Sequence, residues 1–391
     1  MVSKKDFPAA RDTHNLDAAA TGLLHRMVIK AVLGYYEHSC ANAGRSPYKR
    51  SALITVFVEE ARENISAYFG ATKSELVFTP GATHSLNWVA KGLDWKPGDV
   101  VLLTKADHHA NILPWMNLRN LGVEIRFAEC DCFGRIDLAD FKAKIKGVKL
   151  SAFIAASNVT GAIQPIKELV HICKNAGAFS IIDAAQIAPH SVINFDSLGA
   201  DFMAIAGHKL GAPKGIGILL VKEAIQNKLH PLIVGGGVIR DVQLDGYKLM
   251  DFPEGFESGT PSIEGIIGLN ATVEWLCKID LETFYSYEKK LEQQAIAKLK
   301  AIPEVSVFHP ETPTTPTFAF SVDGISSNRL AVALDKRWNV QVRSGHMCAM
   351  LLVRDIMGFK DGLVRVSFGP WNEFNDILPL VEGISKLVNE H

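Results

Sequence analysis

The chain is 391 residues long, 48% hydrophobic, and carries a formal net charge of -1. That length exceeds one ordinary core and predicts two or three domains around a large buried interior. The near-neutral charge, without a block of about five or six like charges, gives no footprint for nucleic acid; the longest apolar runs, LSAFIAAS and GIGILLV, are strand-length and far short of a bilayer crossing.

The opening stretch MVSKKDFPAARDTHN has basic residues with no apolar segment behind them, so no secretory signal is expected. Six scattered cysteines (Cys40, Cys130, Cys132, Cys173, Cys277 and Cys348) form no CxxC pair, as suits a reducing cytoplasm. Cys130 and Cys132 stand close together in AECDCFG, without a second pair or a nearby histidine to complete a metal or redox site. Two helical stretches, around 23–38 and 51–69, flank the polar loop SCANAGRSPYKRS. From there strand-length apolar segments alternate with helical patterns: ELVFTP before THSLNWVAKGL, DVVLLTK before a polar turn, KLSAFIAAS before IKELVHICKNAG, then AFSIIDAA, DFMAIAG and GIGILLV. This alternation predicts a largely parallel α/β sheet covered on both faces. Near residue 275 the character changes. A charged helical stretch, LETFYSYEKKLEQQAIAKLKAI, leads into HPETPTTPT, followed by the shorter strands FAFSV, NVQVRSG and LVRVSFG. The helices SNRLAVALDKRW and NEFNDILPLVEGISKLVNE flank them, which reads as a smaller α+β domain.

In doubly wound sheets ligands sit outside the carboxyl ends of the strands, so polar residues closing different strands converge on one crevice. Asp183 ends SIID, Asn158 follows FIAAS, His108 and His109 follow VVLLTKAD, and Lys209 follows DFMAIAGH. A lysine at the lip of a buried sheet loses hydration and needs a carboxylate or a covalent partner. A desolvated lysine deprotonates readily and forms a Schiff base with an aldehyde, as in pyridoxal phosphate enzymes; the plain alternative is a lysine that snorkels to the surface. Asp183 suits the ring nitrogen of such a cofactor, and also suits a helix N-cap or an acid that holds a metal or a ribose. Gln186, one helical turn on, would then face the ring's phenolic oxygen. Gly81, Ala82 and Thr83 in TPGATHSLNWVA lie between a strand and a helix, where free N–H groups and the helix dipole meet a phosphate.

His108 suits stacking on an aromatic ring and moving protons, or a structural place at a strand end. The adjacent His109 does not make the pair a metal site, since no acidic or cysteine ligands accompany it at a recognisable spacing. Arg365 interrupts the apolar strand GLVRVSFG and must find an anion, either a substrate carboxylate or a structural partner. Cys348 lies in VQVRSGHMCAMLLV with Arg343, Gly345 and His346 ahead of it. A nearby cation favours the nucleophilic thiolate, whereas the bland alternative is one more buried cysteine.

Taken in order, LDAAA, GATHSLNWVA, DHHANILPW, SNVTGAIQPI, IIDAAQ, GHKLGAPKGIGIL, IVGGGVI, FESGTPSIEGIIGL and VRSGHMCAM span nearly the whole chain. With these motifs the sequence resembles the cysteine desulfurases of the class V aminotransferase group, most closely the SUF-type (group II) enzymes. The resemblance implies a fold type I pyridoxal phosphate transferase, an α/β protein with a mainly parallel central sheet. Residues 16–275 would be the large cofactor-binding domain and 276–391 a small α+β C-terminal domain, with segment 1–15 packing nearby. Pyridoxal 5'-phosphate would be attached to Lys209, with Asp183 at the pyridinium, Gln186 at the phenolate oxygen, His108 stacked on the ring and Asn158 touching it near the substrate. Ala82, Thr83 and His208 would bind the phosphate, joined by Thr260 of the partner subunit, which implies a homodimer with shared active sites. Arg365 would hold the substrate carboxylate with Arg343 beside it, and Cys348 would become a persulfide.

The activity so implied converts L-cysteine to L-alanine and passes the sulfur on, in the cytoplasm, to an iron–sulfur scaffold or another sulfur acceptor. No metal, nucleic acid or membrane enters. Selenocysteine and cysteine sulfinate are alternative substrates, and a class V aminotransferase or epimerase would not need Cys348. A nucleotide-binding module would want GxGxxG after the first strand, and none is present. Three positions depart from the family: Ala206 where a serine is usual, which removes one phosphate hydroxyl; Gly44 ahead of Arg45 where a histidine is frequent; and His84 where a glutamate is common.

Overall fold

The computed structural model describes residues 2–44 and 46–390; Arg45 lies outside them. Runs of Val, Ile, Leu and Phe, favoured on a pleated surface, form a seven-stranded sheet. Its order is Leu76–Thr79, Gly217–Val221, Phe202–Ala206, Phe179–Asp183, Leu150–Ile154, Val100–Thr104 and Glu124–Ala128. Gly217–Val221 runs antiparallel to both neighbours, and the remaining pairs are parallel. Five of these strands are buried along their whole length, as expected of a sheet with both faces covered. Successive side chains serve opposite faces. Leu102, Phe153 and Leu220 pack with Ile65 and Ile266 on one side; Val101, Ala152 and Leu219 pack with Leu86 and Trp115 on the other.

The last strand, Glu124–Ala128, is absent from the sequence expectations because Glu124 and Arg126 break up its apolar run. It forms at the sheet edge, where those side chains face solvent or pair with one another (Arg126 Nε to Glu124 Oε1, 2.7 Å). A hairpin, Ile239–Gln243 with Gly246–Leu249, also went unanticipated within a glycine-rich, exposed stretch.

Beyond residue 280, the helix Leu281–Lys300 leads to a four-stranded antiparallel sheet in the order Val305–Phe308, Thr317–Val322, Leu363–Ser367, Arg343–Gly345. The segment NVQVRSG divides in two, because Val340–Gln341 leaves that sheet to pair in parallel with His14–Asn15. The N-terminal segment is thereby sewn to this part of the molecule: Leu16 joins its apolar cluster, and Trp371 Nε1 and Asn372 Nδ2 donate to the Asn15 carbonyl (3.0 and 2.8 Å). The final helix starts only at Ile377, later than its apolar pattern suggests. A 3-10 turn at Phe374–Asp376 precedes it, with the Asp376 carboxylate taken up by Lys4, His14 and the Glu373 N–H.

Asp107, 0% exposed, fixes the geometry at the carboxyl end of the sheet. Its Oδ2 accepts from the N–H and hydroxyl of Thr104 (both 2.9 Å), and its Oδ1 accepts from the Ile154 N–H (2.8 Å) and Asn111 Nδ2 (3.0 Å). Two strand ends and the turn that follows them are therefore held by one side chain. Burial pushes this carboxyl up to about 7 against the pull of those donors. Replacing it strands several buried donors, each worth about 1–3 kcal/mol when unsatisfied. Asp107→Ala is expected to lower unfolding stability by about 3 kcal/mol, measured from the denaturant midpoint; an unchanged midpoint would refute the bracing role.

Candidate active site

The carboxyl ends of the parallel strands open on a cavity of about 410 Å³, in the size range of small-ligand and cofactor sites. Its lining brings together Lys209, Asp183, Gln186, His108, Asn158, Ala82, Thr83, His208, Arg343, Arg365 and Cys348. Thr260 is placed elsewhere, on a second cavity of about 260 Å³ that shares Pro80 with the first. There the neighbouring Glu257 is locked by two bonds from Arg62 (2.7 and 2.8 Å) and one from the Phe78 N–H (2.7 Å).

The strand Leu76–Thr79 turns through Gly81, at φ +153°, into the helix Ala82–Gly92, which has no side-chain cap. The first N–H groups of that helix, Ala82 and Thr83, have no intrahelical acceptor. The turn is packed tightly: a Cβ at Gly217 would lie 2.6 Å from Gly81 Cα. Thr79 and Ser85 spend their hydroxyls on each other (2.9 Å), and Ser85 also reaches the Ile218 carbonyl (3.1 Å). Among the described residues lining the cavity, Thr83 is thus the hydroxyl side chain that is left, since Ala206 supplies none. Lys209 sits on the single helical turn Gly207–Leu210. Gly207 lets that turn press against the Ile216 carbonyl, which a Cβ would meet at 2.7 Å.

Burial dominates the electrostatics. It drives the Lys209 amine down to about 8, with Asp183 opposing and Arg365 reinforcing the shift. It drives the Asp183 carboxyl up, countered by Lys209 and by the Ala185 N–H, which donates to Oδ1 (3.0 Å). The Lys209 amine has no hydrogen-bond or ion-pair partner among the described residues. His108 is pushed down to about 3, first by burial and then by Lys209, so its ring stays neutral. Its Nδ1 accepts from the Ala110 N–H (3.0 Å), which puts the ring proton on Nε2. His208, lowered to about 4 by burial and Lys209, has Nδ1 3.3 Å from the Thr21 hydroxyl. Gln186 spends one N–H on the Ala19 carbonyl (3.0 Å).

Arg365, 3% exposed, is held on two sides: Nη2 donates to Asp17 Oδ1 (2.6 Å) and Nη1 to the Asn158 carbonyl (2.9 Å). Its Nε is buried without a partner, as is Oδ1 of Asn158. Arg343 is exposed and lies opposite Arg365 in strand register. Asp17 is the contact that sequence reasoning missed; the quoted motif LDAAA contained it, but nothing local to that motif points to an arginine 348 positions away. Cys348 is exposed, and both it and Met347 adopt left-handed backbone, at φ +57° and +51°. Such angles cost a non-glycine residue about 1–3 kcal/mol. His84 is exposed and lines the cavity, while Cys130 is half-buried, its thiol pushed up to about 12 by burial.

The unmatched groups define what the cavity can hold. A partnerless amine asks for an electrophilic carbon, a buried carboxylate for a basic nitrogen, and two free helix N–H groups for an anion. Pyridoxal phosphate carries an aldehyde, a pyridine nitrogen and a phosphate, so it fits this donor set, with the neutral His108 ring available to stack on it.

Comparison with known proteins agrees with that chemistry. The probable cysteine desulfurase of Pyrococcus abyssi is 35% identical over 98% of this chain and 96% of its own. The apo structure of cysteine desulfurase from Thermococcus onnurineus NA1 superposes with a TM-score of 0.95, at 36% identity, covering 99% of this chain and 98% of that one. The cysteine desulfurase CsdA of Escherichia coli gives a TM-score of 0.92 at 29% identity, covering 99% and 98%. The family model for Aminotransferase class-V matches residues 14–380, from the N-terminal strand into the last helix, and the chain belongs to that family.

Proposed function

We propose that the chain is a pyridoxal phosphate-dependent cysteine desulfurase that converts L-cysteine to L-alanine and takes the sulfur onto Cys348. The observation that carries this reading is the sharing of one cavity by a desolvated, partnerless Lys209 and an exposed Cys348. Lys209, Asp183, Gln186, His108, Asn158, Ala82, Thr83 and His208 would hold the cofactor. When bound, pyridoxal phosphate supplies an aldehyde that condenses with amines and a ring that takes up electrons released at the amino acid's α-carbon.

The chain's own residues do the rest. Arg365 retains its Nε–H and further Nη hydrogens beyond the bonds to Asp17 and Asn158, enough for a carboxylate to be gripped in a bidentate manner. Lys209, neutral above about pH 8, removes the α-proton and returns it to carbon. Asp183 would hold the cofactor at its ring nitrogen and favour the protonated ring. The Cys348 thiolate attacks the substrate sulfur: an S–S bond forms, the β-carbon–sulfur bond breaks, and its electron pair stays with carbon. Protonation there gives alanine and leaves a persulfide on Cys348. An aminotransferase or epimerase would have no use for that thiol.

On the same reading the enzyme is SUF-type and cytoplasmic. It works as a homodimer in which Thr260 of the partner subunit adds the second hydroxyl to the phosphate site, and it hands sulfur to an acceptor such as an iron–sulfur scaffold. Residues 16–275 form its large domain and 276–391 its small one.

Purified protein reconstituted with pyridoxal phosphate should be yellow and Lys209→Ala should lose the band. Because burial lowers the Lys209 amine, cofactor uptake by the apoenzyme should rise with pH through about 8, rather than near the ordinary lysine value; a colourless wild type would end the cofactor reading. With cysteine as substrate, mass spectrometry should find the persulfide on Cys348 and one alanine per sulfur. Cys348→Ser should lose at least about tenfold in alanine formation, and undiminished turnover would refute the sulfur role. Running selenocysteine and cysteine sulfinate beside cysteine separates the substrate alternatives. Arg365→Gln removes charge-assisted hydrogen bonds of about 1.5–3 kcal/mol, so half-saturating cysteine should rise about 10–100-fold; an unchanged cysteine dependence would count against the clamp.

A further inference from the structure

Met347 and Cys348 hold left-handed backbone although neither is glycine, in a loop that buries Met347 and Ala349 and exposes Cys348 and Met350, so contacts beyond the loop must keep it in that shape. Besides the apolar packing of Met347 and Ala349, two residues grip its backbone by hydrogen bonds. Asn158 Nδ2 donates to the Met347 carbonyl (2.7 Å). His109 takes the next two handholds: its backbone N–H donates to the Cys348 carbonyl (2.7 Å), and its ring Nε2 accepts from the Met350 N–H (3.1 Å). The thiol-bearing residue is therefore bracketed on its C-terminal side by one histidine that uses both main chain and side chain.

His109 is itself well founded. It opens the 3-10 turn His109–Asn111, whose Ala110 N–H is taken by His108 Nδ1 and whose Asn111 side chain is held by Asp107. The grip runs unbroken from the ends of the buried strands to the loop. To accept from Met350, the ring must be neutral with its proton on Nδ1. Burial and the nearby His346 lower its basicity and favour the neutral ring, and the Met350 N–H selects the tautomer.

We infer that His109 is a positioning residue that fixes the Cys348 loop for attack on the substrate sulfur, by accepting the Met350 N–H at its ring nitrogen. This rests on Cys348 as the sulfur acceptor. Near-attack placement of a nucleophile is worth large factors in rate, and a loop freed at one of its handholds samples it less often.

The test compares holoenzyme of wild type, His109→Leu, His109→Asn and His109→Gln. All keep the backbone bond to Cys348. Leu removes the acceptor, Asn stays polar but stops short of the Nε2 position, and Gln places an acceptor near it. Three quantities are read: hydrogen exchange of residues 347–351 without substrate, cysteine affinity, and the single-turnover rate of persulfide formation. Leu and Asn should speed exchange and slow persulfide formation on the order of tenfold, with cysteine affinity within about twofold, and Gln should recover most of both. Equal exchange and equal persulfide rates in all four proteins would overturn the inference, as would a Gln variant as slow as the other two. A wild type that forms no persulfide on Cys348 would sink the acceptor reading instead, and the exchange contrast would then support the grip alone.

Discussion

Everything in the site depends on the desolvation of one amine and one carboxylate in the same cavity. Lys209 and Asp183 are each driven toward their neutral forms by burial, and their mutual attraction only partly offsets it. Neither is closed off by a hydrogen-bonded ion pair, so both remain available to an incoming group that is electrophilic at one atom and basic at another. The neighbouring imidazoles respond to the same field: His108 and His208 are lowered by burial and by Lys209, which keeps them as neutral donors and flat surfaces. A site assembled around a bare ion pair would have been satisfied within itself.

The fold maintains this imbalance by bracing each residue through its backbone. Lys209 rides a one-turn helix pressed onto the Ile216 carbonyl, and the turn at Gly81 is backed by Gly217; in both places a methyl group would collide. Asp107 ties the ends of two strands to the His108 turn. Rigid, buried strand ends thus carry groups whose own side chains are left unpaired, which separates structural satisfaction from chemical availability.

Much of this was legible in the sequence, for a physical reason. Polar residues closing apolar strands must meet outside the carboxyl edge of a parallel sheet, so Lys209, Asp183, Asn158 and His108 could be placed in one crevice without coordinates. The strand Glu124–Ala128 escaped because an edge strand tolerates charge, and the hairpin at 239–249 because exposed strands carry no burial pattern. Asp17 escaped because its meaning lies in Arg365, at the other end of the chain. His109 was visible only as a neighbour of His108; its bond to Met350 is a tertiary fact with no local signature.

The parallel pairing of His14–Asn15 with Val340–Gln341, together with the Asp17–Arg365 contact, joins segments far apart in sequence, the latter pair 348 positions from each other. During synthesis the N-terminal segment therefore waits, unpartnered, while the central sheet and its lysine are already outside the ribosome. The arginine, with the cysteine loop 17 residues before it, emerges after the strands of that sheet. A half-made chain could acquire the cavity wall that carries Lys209 and Asp183 before it owns either Arg365 or Cys348. The order of translation thus brings out the Cys348 loop only after the strands whose ends form the opposite side of the cavity.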